Sequence, residues 1–163
     1  MTSPHGYPSV EIVAALVRRE QTVATAESLT GGQVCARLTA APGASQVVSG
    51  GVVAYMPRVK IQLLGVDSQT ISTAGVVSAE VACAMADGAR DVCGADWGLG
   101  TTGAAGPQHH GGQPPGTVWT CITDPSGRQF PQRHVLEGNR DQVCQSATGL
   151  ILAQLLSLLD SDA

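Results

Sequence analysis

Aromatic residues are nearly missing from this chain: phenylalanine, tyrosine and tryptophan make up 3% of its 163 residues. The core must then be built from Ala, Val, Leu and Ile, and small side chains of that kind suit helices packed closely on a sheet. Charge is scarce as well, at 13%, and the formal net charge is −4 with no basic run. A nucleic-acid surface needs clustered Lys and Arg to displace counterions, so that class of partner is excluded. A single small phosphate is not excluded, because a glycine-rich loop and one Arg can hold it. No unbroken apolar run reaches the roughly 20 residues of a membrane span. The longest, near residues 150–159, is interrupted by Gln154 and Ser157 at helical spacing. The first eight residues show no charged n-region followed by an apolar h-region, which predicts no secretory signal and a cytoplasmic protein.

Cysteine pairing at short range is also missing. Cys35, Cys83, Cys93, Cys121 and Cys144 form no C-x-x-C motif, and their number is odd. Scattered thiols with apolar neighbours predict buried structural residues in a reducing compartment. His109 and His110 are adjacent in a Gly/Pro/Gln segment and read as a solvated loop tip. No further ligand stands at matching spacing, so neither a metal nor any other cofactor is expected.

What the chain does have is glycine and alternation. Ser9 predicts the cap of a first helix whose stripe is Ile12, Val13, Leu16 and Val17. A strand over residues 22–26 and a helix over about 30–40 follow, closed by Pro42 and Gly43. Residues 47–55 read as a strand and 57–64 as a short helix with Pro57 at its first position. Residues 67–75 read as a turn-rich connection, and Ser78 opens the next helix. A strand over 97–102 leads into a loop over 103–116. Residues 117–123 and 129–136 pair as a hairpin through Asp124-Pro125-Ser126-Gly127. Asn139 and Gln142 form a capping box for the last helix. The order predicts one α/β domain over residues 1–163, a three-layer α/β/α sandwich around a mixed sheet, with residues 1–8 flexible.

The informative stretch is Ala24-Thr25-Ala26-Glu27-Ser28-Leu29-Thr30-Gly31-Gly32. A strand that turns sharply into a helix presents the turn residue at the mouth of a sheet, where helix N–H groups also point. Ser28 stands there. It lacks a G-x-S-x-G context, which argues against an α/β-hydrolase elbow. Lys60 is the chain's sole lysine. Within the first turns of a short helix, and if buried, its ammonium is disfavoured, and a neutral lysine can take a proton from a serine. Tyr55, at a strand end, reaches the same space. Each residue also has an ordinary reading: a serine as helix cap, a lysine as a solvated surface charge. Gly100-Thr101-Thr102-Gly103-Ala104-Ala105-Gly106-Pro107 is neither a Walker A loop nor a dinucleotide fingerprint, yet its glycines can let backbone N–H groups surround an anion.

Taken together, six ordered segments resemble the C-terminal domain of the CinA proteins, a family that includes stand-alone nicotinamide mononucleotide deamidases. They are Ala26–Gly32, Pro42-Gly43-Ala44-Ser45, Gly50–Tyr55, Lys60–Val66, Thr102–Pro107 and Gly116-Thr117-Val118-Trp119. The resemblance spans roughly residues 8–159. It implies hydrolysis of the carboxamide of nicotinamide mononucleotide to nicotinate mononucleotide and ammonia, without metal or cofactor. It implies Ser28 as nucleophile, Lys60 as base and Tyr55 as an orienting residue. Glu27, Thr30, Gly31, Gly32, Ser45, Thr102, Gly103, Gly106 and Arg140 are implied around the substrate, the glycine backbones holding phosphate or oxyanion. A homodimer or larger homo-oligomer is expected, without nucleic acid or membrane. Met56-Pro57, Gln108-His109-His110 and Cys144 depart from the family pattern. Those departures leave a second reading open, a nucleotide-binding homologue with weak or no turnover. The larger N-terminal domain of two-domain CinA proteins is not among the matched segments.

Overall fold

The computed structural model describes residues 6–161. Its elements run α1 (Ser9–Arg19), β1 (Val23–Glu27), α2 (Gln33–Thr39), a 3-10 turn (Ala44–Gln46), β2 (Val48–Val53), α3 (Pro57–Leu64), α4 (Ser68–Ala74), α5 (Ala79–Cys93), β3 (Trp97–Gly103), β4 (Thr117–Thr123), β5 (Gln129–Val135) and α6 (Arg140–Ser161). The five strands lie in the order β2-β1-β3-β4-β5. β2, β1 and β3 are parallel, while β4 and β5 add an antiparallel hairpin to one edge. This is the mixed-sheet α/β arrangement expected from the element order.

Two apolar layers clamp the sheet. Ile12 and Leu16 of α1, Val34 and Leu38 of α2, and Ile151, Leu152, Leu155 and Leu159 of α6 pack with Val23, Trp97, Leu99 and Ile122. On the other face Leu64 of α3 and Val81, Met85 and Ala89 of α5 pack on Ala24 and Ala26. Each fully buried aliphatic side chain contributes about 1.5–3 kcal/mol, so the aromatic shortage is met by number. The small residues have a geometric purpose. A Cβ on Gly100 would fall 2.1 Å from the Ala82 carbonyl oxygen, so α5 lies almost on the β3 backbone.

Several local expectations change. Pro8, not Ser9, precedes α1, and the buried Ser9 hydroxyl caps nothing. Of the segment 1–8 expected to be flexible, residues 1–5 lie outside the described part. Tyr7 is held instead, with the Arg37 guanidinium 4.8 Å from its ring centre. Residues 67–75 contain α4, whose first turn is capped by the Asp67 carboxylate accepting from the Gln69 N–H. Helix α6, 22 residues with mean hydropathy 1.4 over its most apolar stretch, meets the length and composition of a span despite Gln154 and Ser157. Its stripe nevertheless forms the core just described. Cys83 of α5 and Cys121 of β4, distant in sequence, bring their buried thiols to 2.6 Å.

Candidate active site

Strand alternation sorts the two residues after Ala26 onto opposite faces. Val23, Thr25 and Glu27 face the α1/α2/α6 layer, whereas Ala24, Ala26 and then Ser28 face α3 and α5. Glu27 is therefore buried beneath α2. Its carboxylate accepts from the backbone N–H groups of Gly32, Val34 and Cys35 at 3.0, 3.0 and 2.9 Å. Those are first-turn donors with no intrahelical partner, so Glu27 caps α2 from below. Ser28 is pinned to the neighbouring strand by its N–H, which donates to the Thr101 carbonyl at 3.1 Å. It sits where the crevice opens beyond the carboxyl ends of β1 and β3, the usual ligand position in an open α/β sheet.

Lys60 arrives from the other side of that crevice. Pro57 occupies the first turn of α3 and Gly65 ends it in the left-handed conformation. Lys60 is 0% exposed. Its ammonium nitrogen donates to Ser28 Oγ at 2.9 Å, to the Ala54 carbonyl at 2.6 Å and to the Tyr55 carbonyl at 3.4 Å. Burial away from water lowers its pKa from 10.5 to about 8. The pair thus has the geometry of a nucleophile in hydrogen-bond reach of a base, with the base oriented by two main-chain acceptors.

Above the pair lies a cavity of about 380 Å³, lined by Ser28, Leu29, Tyr55, Gly103, Ala105, Gly106, Pro107, Gln108, His109, His110 and Arg140. Of the residues singled out in the sequence, Ser28, Tyr55, Gly103, Gly106 and Arg140 line it. Lys60 lies under Ser28. The Tyr55 side chain does not touch the lysine: its hydroxyl accepts from Arg140 Nη1 at 3.1 Å across the mouth. Thr30 Oγ1 is hydrogen-bonded to Thr101 Oγ1 at 2.8 Å, and Thr102 Oγ1 donates to the Val76 carbonyl at 2.7 Å, both buried below the cavity. The Gly31 and Gly32 N–H groups are spent on the Ser28 carbonyl and the Glu27 carboxylate. They are not free for an anion. The amides of Leu29 and Thr30 have no acceptor among the described residues. Ser45 is exposed in the 3-10 turn before β2, and β2 runs parallel to β1, so Ser45 lies at the opposite end of the sheet from Ser28. Among the described residues no group of three His, Cys, Asp or Glu converges as a metal site.

From the residues alone His109 and His110 read as a solvated tip, and Gln108-His109-His110 as a departure from the family pattern. The side chains of residues 107–110 are exposed, and they also wall the cavity. A loop following β3 at the carboxyl edge of the sheet was the available signal, because such loops gather around the switch point.

The family model of the CinA C-terminal domain matches residues 8–159. The chain belongs to the CinA C-terminal domain family. A CinA-like protein of Frankia casuarinae is 46% identical over 155 residues, covering 93% of this chain and 36% of that protein. A CinA-like protein of Synechocystis is 50% identical over 121 residues, covering 72% and 29%. The chain thus spans about a third of the length of these curated relatives. A CinA superfamily protein from Klebsiella pneumoniae superposes with TM-score 0.89 at 30% identity, covering 94% of this chain and 96% of that one. One from Escherichia coli gives 0.88 at 31%, covering 92% and 87%.

The chain's departures from the CinA pattern can be located on this site. Met56 and Pro57 form the start of α3 without disturbing the reach of Lys60. Cys144 is buried on α6 and donates its thiol to the Leu29 carbonyl at 3.0 Å. Burial raises its pKa, so it is a packing thiol rather than a thiolate.

Proposed function

We propose that this CinA-family chain is a nicotinamide-nucleotide amidohydrolase, converting nicotinamide mononucleotide and water to nicotinate mononucleotide and ammonia in the cytoplasm. The observation that carries the reading is the 2.9 Å hydrogen bond between Ser28 Oγ and a fully buried Lys60 whose pKa is lowered to about 8. A surface lysine has no such contact. Neutral Lys60 takes the Ser28 proton as the hydroxyl attacks the carboxamide carbon. The tetrahedral oxyanion is held by the uncommitted amide of Leu29, which lines the cavity, an interaction worth roughly 3–4 kcal/mol. Protonated Lys60 then gives its proton to the departing nitrogen, ammonia leaves, and a serine ester remains. Water, deprotonated by Lys60, attacks the ester, and Ser28 recovers its proton as the carboxylic acid departs. Exposed Val53, Tyr55, Met56 and Leu63, around edge strand β2 and α3, support a homo-oligomer.

Incubating the purified protein with nicotinamide mononucleotide tests the reading. Stoichiometric ammonia and nicotinate mononucleotide are expected. Binding of the nucleotide without ammonia release favours instead the non-hydrolytic homologue that Met56-Pro57 and Cys144 suggest.

A further inference from the structure

Resting on that reading, we infer that His109 and His110 form, with Arg140, a phosphate-recognition wall particular to this chain, selecting the phosphorylated substrate over its nucleoside. Three observations converge on it. The first is composition: among the described residues the lining of the cavity includes one guanidinium and two imidazoles, and no Asp or Glu. In a chain of net charge −4 such a lining is a local reversal of sign, and it suits an anion.

The second is that the histidines are presented by a built turn. His110 and Gln113 exchange backbone hydrogen bonds at 3.1 and 3.0 Å, enclosing Gly111 and Gly112 with φ of 56° and 75°. Two successive positive φ values are what a two-residue hairpin turn of the primed kind requires. The turn is also seated: a Cβ on Gly111 would come within 2.7 Å of the Val76 side chain. The backbone that carries the imidazoles is set by this pairing and packing, not by the length of the loop.

The third is availability. Among the described residues neither imidazole has a side-chain hydrogen-bond partner. Each carries at least one N–H donor in either protonation state. Arg140 is held by Tyr55 through one nitrogen, Nη1, which leaves its other N–H donors for a ligand. A phosphate monoester, with three terminal oxygens, matches a guanidinium and two imidazole donors better than a carboxylate with two. Ser28 lies in the same cavity, so one ligand can set its phosphate on this wall and its carboxamide at Ser28.

The test is a His109→Ala/His110→Ala double variant in the full chain, which removes both side-chain donors. Both positions are exposed, and the glycines of the turn are untouched. The KM for nicotinamide mononucleotide is expected to rise about tenfold with kcat little changed, while the KM for nicotinamide riboside moves less than about twofold. In parallel, ribose 5-phosphate, which has the phosphate but no amide, is titrated calorimetrically. Its affinity for the variant is expected to fall about tenfold. Equal effects on nucleotide and nucleoside, or unchanged ribose 5-phosphate binding, overturn the inference. If the wild-type protein releases no ammonia from either substrate, the amidohydrolase reading fails separately. The calorimetric comparison then decides the phosphate wall alone, and absent or unaltered binding overturns it.

Discussion

A buried lysine is costly unless its environment lets it shed charge, and Lys60 is placed to do so. Three acceptors surround its nitrogen, yet among the described residues no carboxylate is a hydrogen-bond partner, and desolvation lowers its pKa from 10.5 to about 8. In the proposed hydrolysis the neutral form is the base. Only about a tenth of the sites are neutral at pH 7, rising to half at about pH 8. The kcat/KM for nicotinamide mononucleotide is therefore expected to climb nearly tenfold per pH unit below about 7.5 and to level above about 8.5, as read from initial rates of ammonia release. A flat profile from pH 6 to 9 would remove Lys60 as the base. Ser28 and Lys60 were legible because each is singular, one by its position after a strand, the other by being the sole lysine. Their contact was not legible. It depends on α3 returning across the carboxyl end of β1, a long-range fact that residue spacing does not encode.

At the scale of an element, the segment Glu27–Gly32 divides its labour between two faces. Ser28 turns to the cavity, while Glu27 ties down the start of α2 through three backbone N–H groups. Glu27→Gln keeps one acceptor oxygen but sets an amide donor against those donors. It is expected to destabilise the protein by about 2 kcal/mol, since hydrogen bonds to charged groups contribute about 1.5–3 kcal/mol each. Thermal unfolding should show a fall of roughly 4–8 °C. An unchanged Tm would contradict the capping role. The family resemblance implied Ser28 as nucleophile and Glu27, Thr30, Gly31 and Gly32 around the substrate. Alternation of side chains along β1 shows why only part of that segment reaches the cavity. Thr30 and Thr102 follow the same logic: their hydroxyls answer buried partners, Thr101 Oγ1 and the Val76 carbonyl. The helix α4 was hidden in a polar run, Ser68-Gln69-Thr70, that reads as turn until Asp67 is recognised as its cap.

Across the whole molecule, the layer order was open to inspection because helix periodicity and strand alternation give element types directly. The hairpin signal of residues 124–127 then made the sheet mixed rather than parallel. What was hidden is which loops meet. His109 and His110 of the loop after β3 are about 30 residues from Arg140 at the start of α6, yet all three share one wall with Ser28. Ser45 shows the reverse, near Ser28 in sequence but at the other end of the sheet. In the proposed hydrolysis, the crevice beyond β1 and β3 houses a serine nucleophile paired with a lysine base. The most direct test compares turnover and binding of nicotinamide mononucleotide by wild-type protein and Ser28→Ala. A loss of roughly a thousandfold or more in kcat is expected, with the nucleotide dissociation constant changed by less than about threefold. Ammonia release by Ser28→Ala at near wild-type rate would contradict it.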